Sequence, residues 1–301
     1  MLRPSQILTE ILDSIGEFNI PHRLFHYTTA EGLLGICSSK SLWMTDLQFM
    51  NDASEIQYSR ALFTEVLEEM SSGNDAEHFL HVVDLAKKLV KAGLQSLTIY
   101  SCSFCEEGNL LSQWRAYGST GGYAIAFDLS EMDWPLESNF LTVKVVYERE
   151  RQIDIIRKGI ARLIRYREAL STAGEELKMA DRVIEAFIVS NLSRFKHPEF
   201  SEEKEWRLVC HFEGPPELIG SSVKFRSNRD LIVPYITANL EKAFEASKFD
   251  ERLREFPFVE VVIGPTVNSE AAKKSVDLLL QSLSEDVIPN VTGSEIPVRW
   301  L

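Results

Sequence analysis

The amino-acid sequence predicts an α+β protein, and three observations carry that reading. Short runs rich in β-branched and aromatic residues, such as Leu97–Phe104, Gly121–Asp128 and Phe258–Ile263, are scattered along the chain. Each has the length and composition of a buried strand. Between them lie segments with apolar residues at helical spacing, most clearly Leu177, Ala180, Ile184, Phe187, Ile188, Asn191, Leu192 and Phe195. The interleaving brings no Gly-x-Gly-x-x-Gly or phosphate-loop motif, so a standard nucleotide-binding fold is not supported. With 301 residues, 45% of them hydrophobic, the chain suffices for one large domain or two small ones. We read it as a single domain over 1–301, with a helical insertion at 150–196 that covers the sheet.

In order, residues 5–20 read as a helix, with Ile7, Leu8, Ile11, Leu12 and Ile15 on one face. Arg23–Thr28 is a short strand, and Thr29 caps the helix that carries Leu33, Leu34, Ile36 and Cys37. Ser41–Asp46 is extended. A long amphipathic helix follows Glu55 and breaks at Ser71–Asp75, and another runs from Ala76 to Ala92. Leu97–Phe104 is a central strand, Leu110–Tyr117 a short helix, Gly121–Asp128 a second strand and Leu141–Tyr147 a third. The pattern is helical from Glu148 to Phe195. Glu203–Phe212 is then a strand with its carboxylates at the entrance, and Val223–Arg226 another. Leu231–Leu240 fits neither period cleanly. Phe258–Ile263 is a buried strand, Asn268 or Ser269 caps a helix to Leu283, and Ile296–Trp300 reads as an edge strand that tolerates Pro297.

The net charge of −13 and pI near 5.0 give no general attraction for nucleic acid or an anionic membrane. No apolar run approaches the roughly 20 residues of a membrane span, and the start lacks the apolar core and cleavage site of a signal peptide. These features point to a cytoplasmic protein. Cys102 and Cys105 form Cys-x-x-Cys without a second pair or histidines at ligand spacing. All four cysteines are therefore read as reduced, mostly buried thiols.

Several polar groups ask for a role, each beside a plainer explanation. His26 and Tyr27 are neighbours on a strand, so only one of them enters a given cleft; an interior histidine held by hydrogen bonds is the plain alternative. Asn51, Asp52 and Glu55 stand at a helix start, where a cap and a first-turn acid suffice. Ser101 and Ser103 share a strand face, where hydroxyls commonly bond the backbone. Trp114 and Tyr117 share a helical face suited to core packing. Glu203 and Glu205 share a strand face beside Lys204 and Arg207, and a solvated strand end would account for them.

Taken as an ordered set, these strings resemble a bacterial family catalogued as domain of unknown function 2971. They are Phe25-His26-Tyr27-Thr28, Leu42-Trp43 with Asn51-Asp52-x-x-Glu55, Ser101-Cys102-Ser103, Trp114-x-x-Tyr117-Gly118, the Gly122 strand, Glu203-x-Glu205-x-Arg207 and Val262-Ile263-Gly264-Pro265. The resemblance spans residues 23 to 285 and implies no activity. A looser one does: the order of strand His, strand Ser-x-Ser and late strand Glu is similar to the ADP-ribosyltransferase superfamily. It implies a split β-sheet with flanking helices, NAD as substrate, and transfer of ADP-ribose to a macromolecule, protein or nucleic acid, as in a bacterial defence or toxin system. On that resemblance His26 holds the adenosine-side ribose and Ser103 or Tyr117 fills the middle position. Glu205 stabilises the oxocarbenium ion, and Glu203 activates the acceptor. Tyr27, Thr28, Asn51, Trp114, Tyr117 and Arg207 complete the NAD contacts. This reading requires His26 and Glu205 to line one pocket with the carboxylate unpaired. Two rivals stand beside it. One is a metal-dependent nuclease or phosphoesterase using Asp52, Glu55, Glu203 and Glu205 around Mg²⁺. The other is a non-catalytic ligand-binding module.

Overall fold

A computed structural model describes residues 11, 19–50, 53–71, 76–92, 97–117, 122–130, 132, 140–213, 222–228, 230–245, 258–266, 268–284 and 289–297. In chain order the elements are β1 (Leu24–Thr28), α1 (Ala30–Ser39), β2 (Ser41–Asp46), α2 (Ala53–Met70), α3 (Glu77–Ala92), β3 (Leu97–Cys105), α4 (Leu111–Tyr117), β4 (Tyr123–Phe127) and β5 (Phe140–Lys144). They continue with α5 (Arg149–Ala173), α6 (Lys178–Leu192), β6 (Glu205–Glu213), β7 (Lys224–Asn228), β8 (Leu231–Asn239), α7 (Leu240–Glu245), β9 (Glu260–Ile263), α8 (Ser269–Leu283) and β10 (Asn290–Gly293). The protein is a mixed α+β fold around one large sheet.

Strand β3 organises that sheet. Along one edge it pairs antiparallel with β6 over its whole length, from Leu97↔Glu213 to Cys105↔Glu205, and β6 in turn pairs with β5. The other edge of β3 forks. Near its end it meets β1 at Phe25↔Cys105, while further back it meets β2 at Thr45↔Ser101 and Asp46↔Tyr100. One branch runs β1-β4-β9-β10 and the other β2-β8-β7. Ser103 stands in the gap where the branches part.

Side chains alternate across a strand, and directly paired residues share a face. The registers therefore sort the sheet into two faces. Tyr100, Cys102, Phe104, Trp206, Leu208 and Cys210 point into the main apolar core with Leu33 and Ile36 of α1 and Val276 and Leu280 of α8. The opposite face carries Ile99, Ser101, Ser103, Cys105, Glu205 and Arg207. Helices α2, α3, α5 and α6 enclose a second core through Phe63, Val82, Ile156, Ile160 and Phe187, and Leu47, Ile56, Ile99 and Val189 join it to this face. At the far end of the face α4 lays Trp114 over Tyr27, with ring centroids 4.6 Å apart.

Local chemistry explains the element ends. The Thr29 hydroxyl accepts from Gly32 N–H at the start of α1, and Asn268 accepts from Ala271 N–H at the start of α8, each satisfying an orphan helix donor. Helix α5 ends at Gly174, whose φ of 71° suits a residue without a side chain.

Three expectations need correction. The strand expected from Glu203 begins at Glu205, because Pro198–Glu203 winds a 3₁₀ turn that Lys204 closes with φ 45°. The segment Leu231–Leu240, ambiguous by period, is the long strand β8; its Pro234 lies one step beyond the β2 pairing, which starts at Thr45↔Tyr235, so its missing N–H costs no inner ladder bond. The chain end expected as an edge strand is preceded by β10 at Asn290–Gly293, parallel to β9; Ile296 and Pro297 lie outside any strand, and 298–300 lie outside the described residues. So does the helix expected over 5–20, except Ile11, which is buried.

Candidate functional site

The open question of the sequence was whether His26 and Glu205 meet, and the registers answer it. Phe25 pairs with Cys105, and Cys105 with Glu205, so Phe25 shares the face of Glu205 and His26 points to the other. The His26 ring lies tilted against Phe104 at 5.8 Å, and its Nδ1 is 3.6 Å from Cys102 Sγ. Nδ1 donates to the Ser103 carbonyl at 2.9 Å. A carbonyl only accepts, so that nitrogen carries the proton. Burial lowers the imidazole pKa, partly offset by the Ser103 bond, which keeps the ring neutral. Ser103 sits at the fork, where no strand partners its carbonyl on that edge, and His26 supplies the missing donor. The one-pocket requirement for His26 and Glu205 is not met, and the first position of the implied NAD motif falls away.

On the opposite face a charged cluster assembles between the sheet and the helices. Arg207 forks onto Glu205, Nε to Oε1 and Nη2 to Oε2, both at 2.8 Å. Its Nη2 also reaches Glu55 at 2.7 Å and its Nη1 the Ser193 carbonyl at 2.6 Å. Lys196 lies 2.6 Å from Glu55, 2.6 Å from Glu203 and 3.4 Å from Glu205. The Ser103 hydroxyl is the last of the groups that lower the Glu205 pKa, and Glu205 N–H donates to the Tyr147 hydroxyl at 3.0 Å. Glu205 is thus in a closed ion pair, not free. The bidentate fork is the strong form of such a pair, and removing one partner of a buried pair costs about 3–5 kcal/mol.

The backbone around Lys196 is held as firmly as its side chain. Gln152 Nε2 donates to both the Val146 and Lys196 carbonyls, and Tyr58 O–H donates to Gln152 Oε1. Ser59 donates to the Phe195 carbonyl. The 3₁₀ turn and the left-handed Lys204 then swing Glu203 back toward Lys196, and the Cys105 thiol donates to the Glu203 carbonyl at 3.1 Å. Cys102 and Cys105, three residues apart on a strand, face opposite sides. They are buried and unbonded to each other, and burial pushes their thiols up to about 12 and about 11.

Two carboxyls a residue apart titrate oppositely. Burial alone would raise Glu205, but Arg207, then Lys196 and Ser103, hold it at about 2. Glu203 is raised instead: burial leads, Lys196 opposes it, and the charges of Glu205 and Glu55 add to the rise. With 26% of its side chain exposed, Glu203 is the member that meets solvent. Lys196 is buried, which alone would lower its pKa, yet Glu205 and Glu55 raise it. Three carboxylates against two cations leave one excess negative charge. Tyr117 is 45% exposed. Burial and then the charges of Glu205 and Glu203 raise its phenol. Solvent weakens that effect, but its direction places the hydroxyl within their field.

The fold therefore gathers Glu203, Glu205, Ser103 and Arg207 and brings Tyr117 within range of the charges of Glu205 and Glu203. Tyr27 shares the face, but its hydroxyl is committed, donating to the Glu107 carbonyl and accepting from Leu110 N–H. Trp114 is buried with its indole N–H on Asn109. Thr28 lies against Gly32, on the face of His26 by alternation. Asn51 lies outside the described residues. The sequence reading omitted Lys196 and Tyr147 and left Glu55 to a rival. Lys196 ends a long helical stripe, and only the return of that stripe to the sheet shows its role.

A cleft of about 440 Å³ adjoins Tyr117, lined also by Thr29, Glu31, Gly122, Gly264 and Thr266. No helix is long and apolar enough to cross a membrane, among the described residues. Residues 113–208 match the family described as Protein of unknown function (DUF2971). That stretch holds Tyr117, Tyr147, Lys196, Glu203, Glu205 and Arg207, and the match bears out the family resemblance. No curated protein and no solved structure matches the chain.

Proposed function

We propose an altered form of the transferase reading, in which His26 takes no part and Glu205 acts while paired with Arg207: the cluster breaks the nicotinamide–ribose bond of NAD and ADP-ribose passes to a macromolecular acceptor. The observation that carries this is Glu203: a partly exposed carboxyl held by Lys196 at 2.6 Å, with its pKa raised, whose charge acts on the exposed Tyr117. The nicotinamide ring of NAD is a cationic aromatic, which suits an aromatic face over a group with excess negative charge. As the C–N bond breaks, its electron pair leaves with nicotinamide and positive charge grows on the ribose carbon. Glu205, ionised far below neutral pH, is the fixed countercharge, and Ser103 and Arg207 hold it in place. Glu203 takes the proton from the attacking acceptor group, a role for which a raised carboxyl is the better base. The cleft beside Tyr117 has a volume in the range of ligand sites, though no residue of the charged cluster lines it. The transferase resemblance implies a split sheet, and the fork at β3 supports the reading to that extent. His26 has no part in the chemistry; it closes the fork.

Mg²⁺ chemistry is disfavoured by what surrounds the carboxylates. Lys196 and Arg207 already sit within 2.6–2.8 Å of Glu55, Glu203 and Glu205, where a divalent cation would meet their charges at close range. Among the described residues no group of three or more His, Cys, Asp or Glu is placed to hold a metal. The closure of the network favours instead, as the competing view, a non-catalytic module.

Nicotinamide release from NAD by the purified protein decides between them. The wild type is expected to release it, and Glu203→Gln to release it about 100-fold or more slowly, the usual scale for a lost acid–base group. No release by the wild type leaves the binding module. Equal release by both proteins removes Glu203 from the mechanism.

A further inference from the structure

The same face of the sheet continues past the cluster into a patch of different character. Thr45 pairs with Ser101, so Thr45 and Trp43 share the face of Ser103 and Glu205. Carrying that register two residues on places Trp43 level with Ser103, across the fork. Trp43 is 48% exposed although it lies mid-strand in β2. Tyr235 supports its ring from β8 at 4.6 Å, and the Arg226 guanidinium of β7 lies 5.9 Å from the ring centroid. The registers Lys224↔Tyr235 and Arg226↔Val233 put both cations on this face.

The chain has 45 acidic residues against 32 basic ones, and the cations of the charged cluster are paired with acids. Among the described residues, Arg226 and Lys224 meet none. Arg226 Nη2 donates to the Thr45 hydroxyl at 3.1 Å, and its Nε is buried without a partner. A buried guanidinium nitrogen left unpaired carries a desolvation cost that an anion would remove. An exposed indole beside it offers a flat face for an aromatic ring.

We infer that Trp43, Arg226 and Lys224 form a platform for a single-stranded nucleic acid, one base stacking on Trp43 and adjacent phosphates meeting the two cations. The inference deepens the proposed reaction, and rests on it, by naming the acceptor class: a base seated at Trp43 lies on the face, and at the level, of the Ser103–Glu205 pair. A single strand is required because a duplex keeps its base faces stacked. The acidic remainder of the chain limits backbone attraction to this patch, so the interaction reads few phosphates.

The test is fluorescence anisotropy with labelled, mixed-sequence 12-nucleotide DNA and RNA single strands and no NAD present. Binding is expected, and Trp43→Ala is expected to weaken it about 5- to 150-fold, the loss of one stacked base, while Trp43→Phe retains most of it. The salt slope is expected near −1.4, for about two phosphates at roughly −0.7 each, and should fall by half in Lys224→Ala. Thermal melts of each variant establish that it is folded. Failure of both strands to bind at 50 mM salt, or equal binding by folded Trp43→Ala, overturns the platform. Poly-glutamate supplies charge without bases; if it binds as well as the oligonucleotides, an acidic protein replaces nucleic acid and the inference falls. Because NAD is absent, this failure is separate from that of the donor reading, which the nicotinamide assay alone decides.

Discussion

Glu205→Gln tests the charged cluster most sharply, because its cost follows from geometry and has a definite pH signature. Glu205 accepts two bonds from Arg207 and faces Lys196 and Ser103. Its carboxyl falls from the ordinary 4.5 to about 2, equivalent to roughly 3 kcal/mol at about 1.4 kcal/mol per pH unit. Breaking a buried pair independently suggests about 3–5 kcal/mol. Against a total stability of about 5–15 kcal/mol, the variant should fold but melt early. The folded carboxyl lies below its unfolded value, so its contribution is complete above about pH 4.5 and is lost as pH falls toward 2. Glu203 and Glu55 are present in both proteins and largely cancel in the comparison. Urea unfolding followed by circular dichroism should show a gap between wild type and variant of about 3 kcal/mol at pH 7, narrowing to about 1 kcal/mol at pH 3. A gap under about 1 kcal/mol at pH 7, or one that does not narrow, would refute the ion-pair argument.

Two further outcomes are expected. His26→Ala leaves the Ser103 carbonyl unpaired at the fork and should cost about 1–3 kcal/mol in urea unfolding, with nicotinamide release per folded molecule unchanged; a large loss of release in a folded variant would return His26 to the substrate. Gly159→Ala drives a methyl group into the Phe187 ring between α5 and α6, so thermal melting should show a loss of about 1–3 kcal/mol, despite alanine's better helix propensity; an unchanged melting temperature would refute that packing.

Much of the framework was legible because it depends on local pattern. Strand β3 runs through an apolar stretch, α6 carries an unbroken stripe, and Thr29 and Asn268 have the side chains that helix starts prefer. What escaped depended on partners distant in sequence. Alternation required His26 and Tyr27 to face opposite ways, but which of them faced Glu205 awaited the Phe25↔Cys105 pairing, a contact across 80 positions. β8 was obscured by Pro234, whose tolerance depends on where β2 stops. Glu203 and Glu205 were expected to converge as strand neighbours. They do converge on Lys196, but through a 3₁₀ turn and a left-handed lysine, which no two-residue period encodes.

The fork in β3 connects these observations. A continuous ladder would bond the Ser103 carbonyl to a neighbouring strand and leave no opening. With β1 leaving near Cys105 and β2 joining at Ser101, Ser103 is left without a strand partner on that edge. Its carbonyl is met by the His26 imidazole, while its hydroxyl lies on the face of the Glu205 carboxylate, whose pKa it helps to lower. The histidine therefore supports the fork from the face opposite the charged cluster, without touching that cluster. A histidine and a glutamate that recur in the order of a catalytic pair need not face one substrate; here a single serine joins them from opposite faces of the sheet.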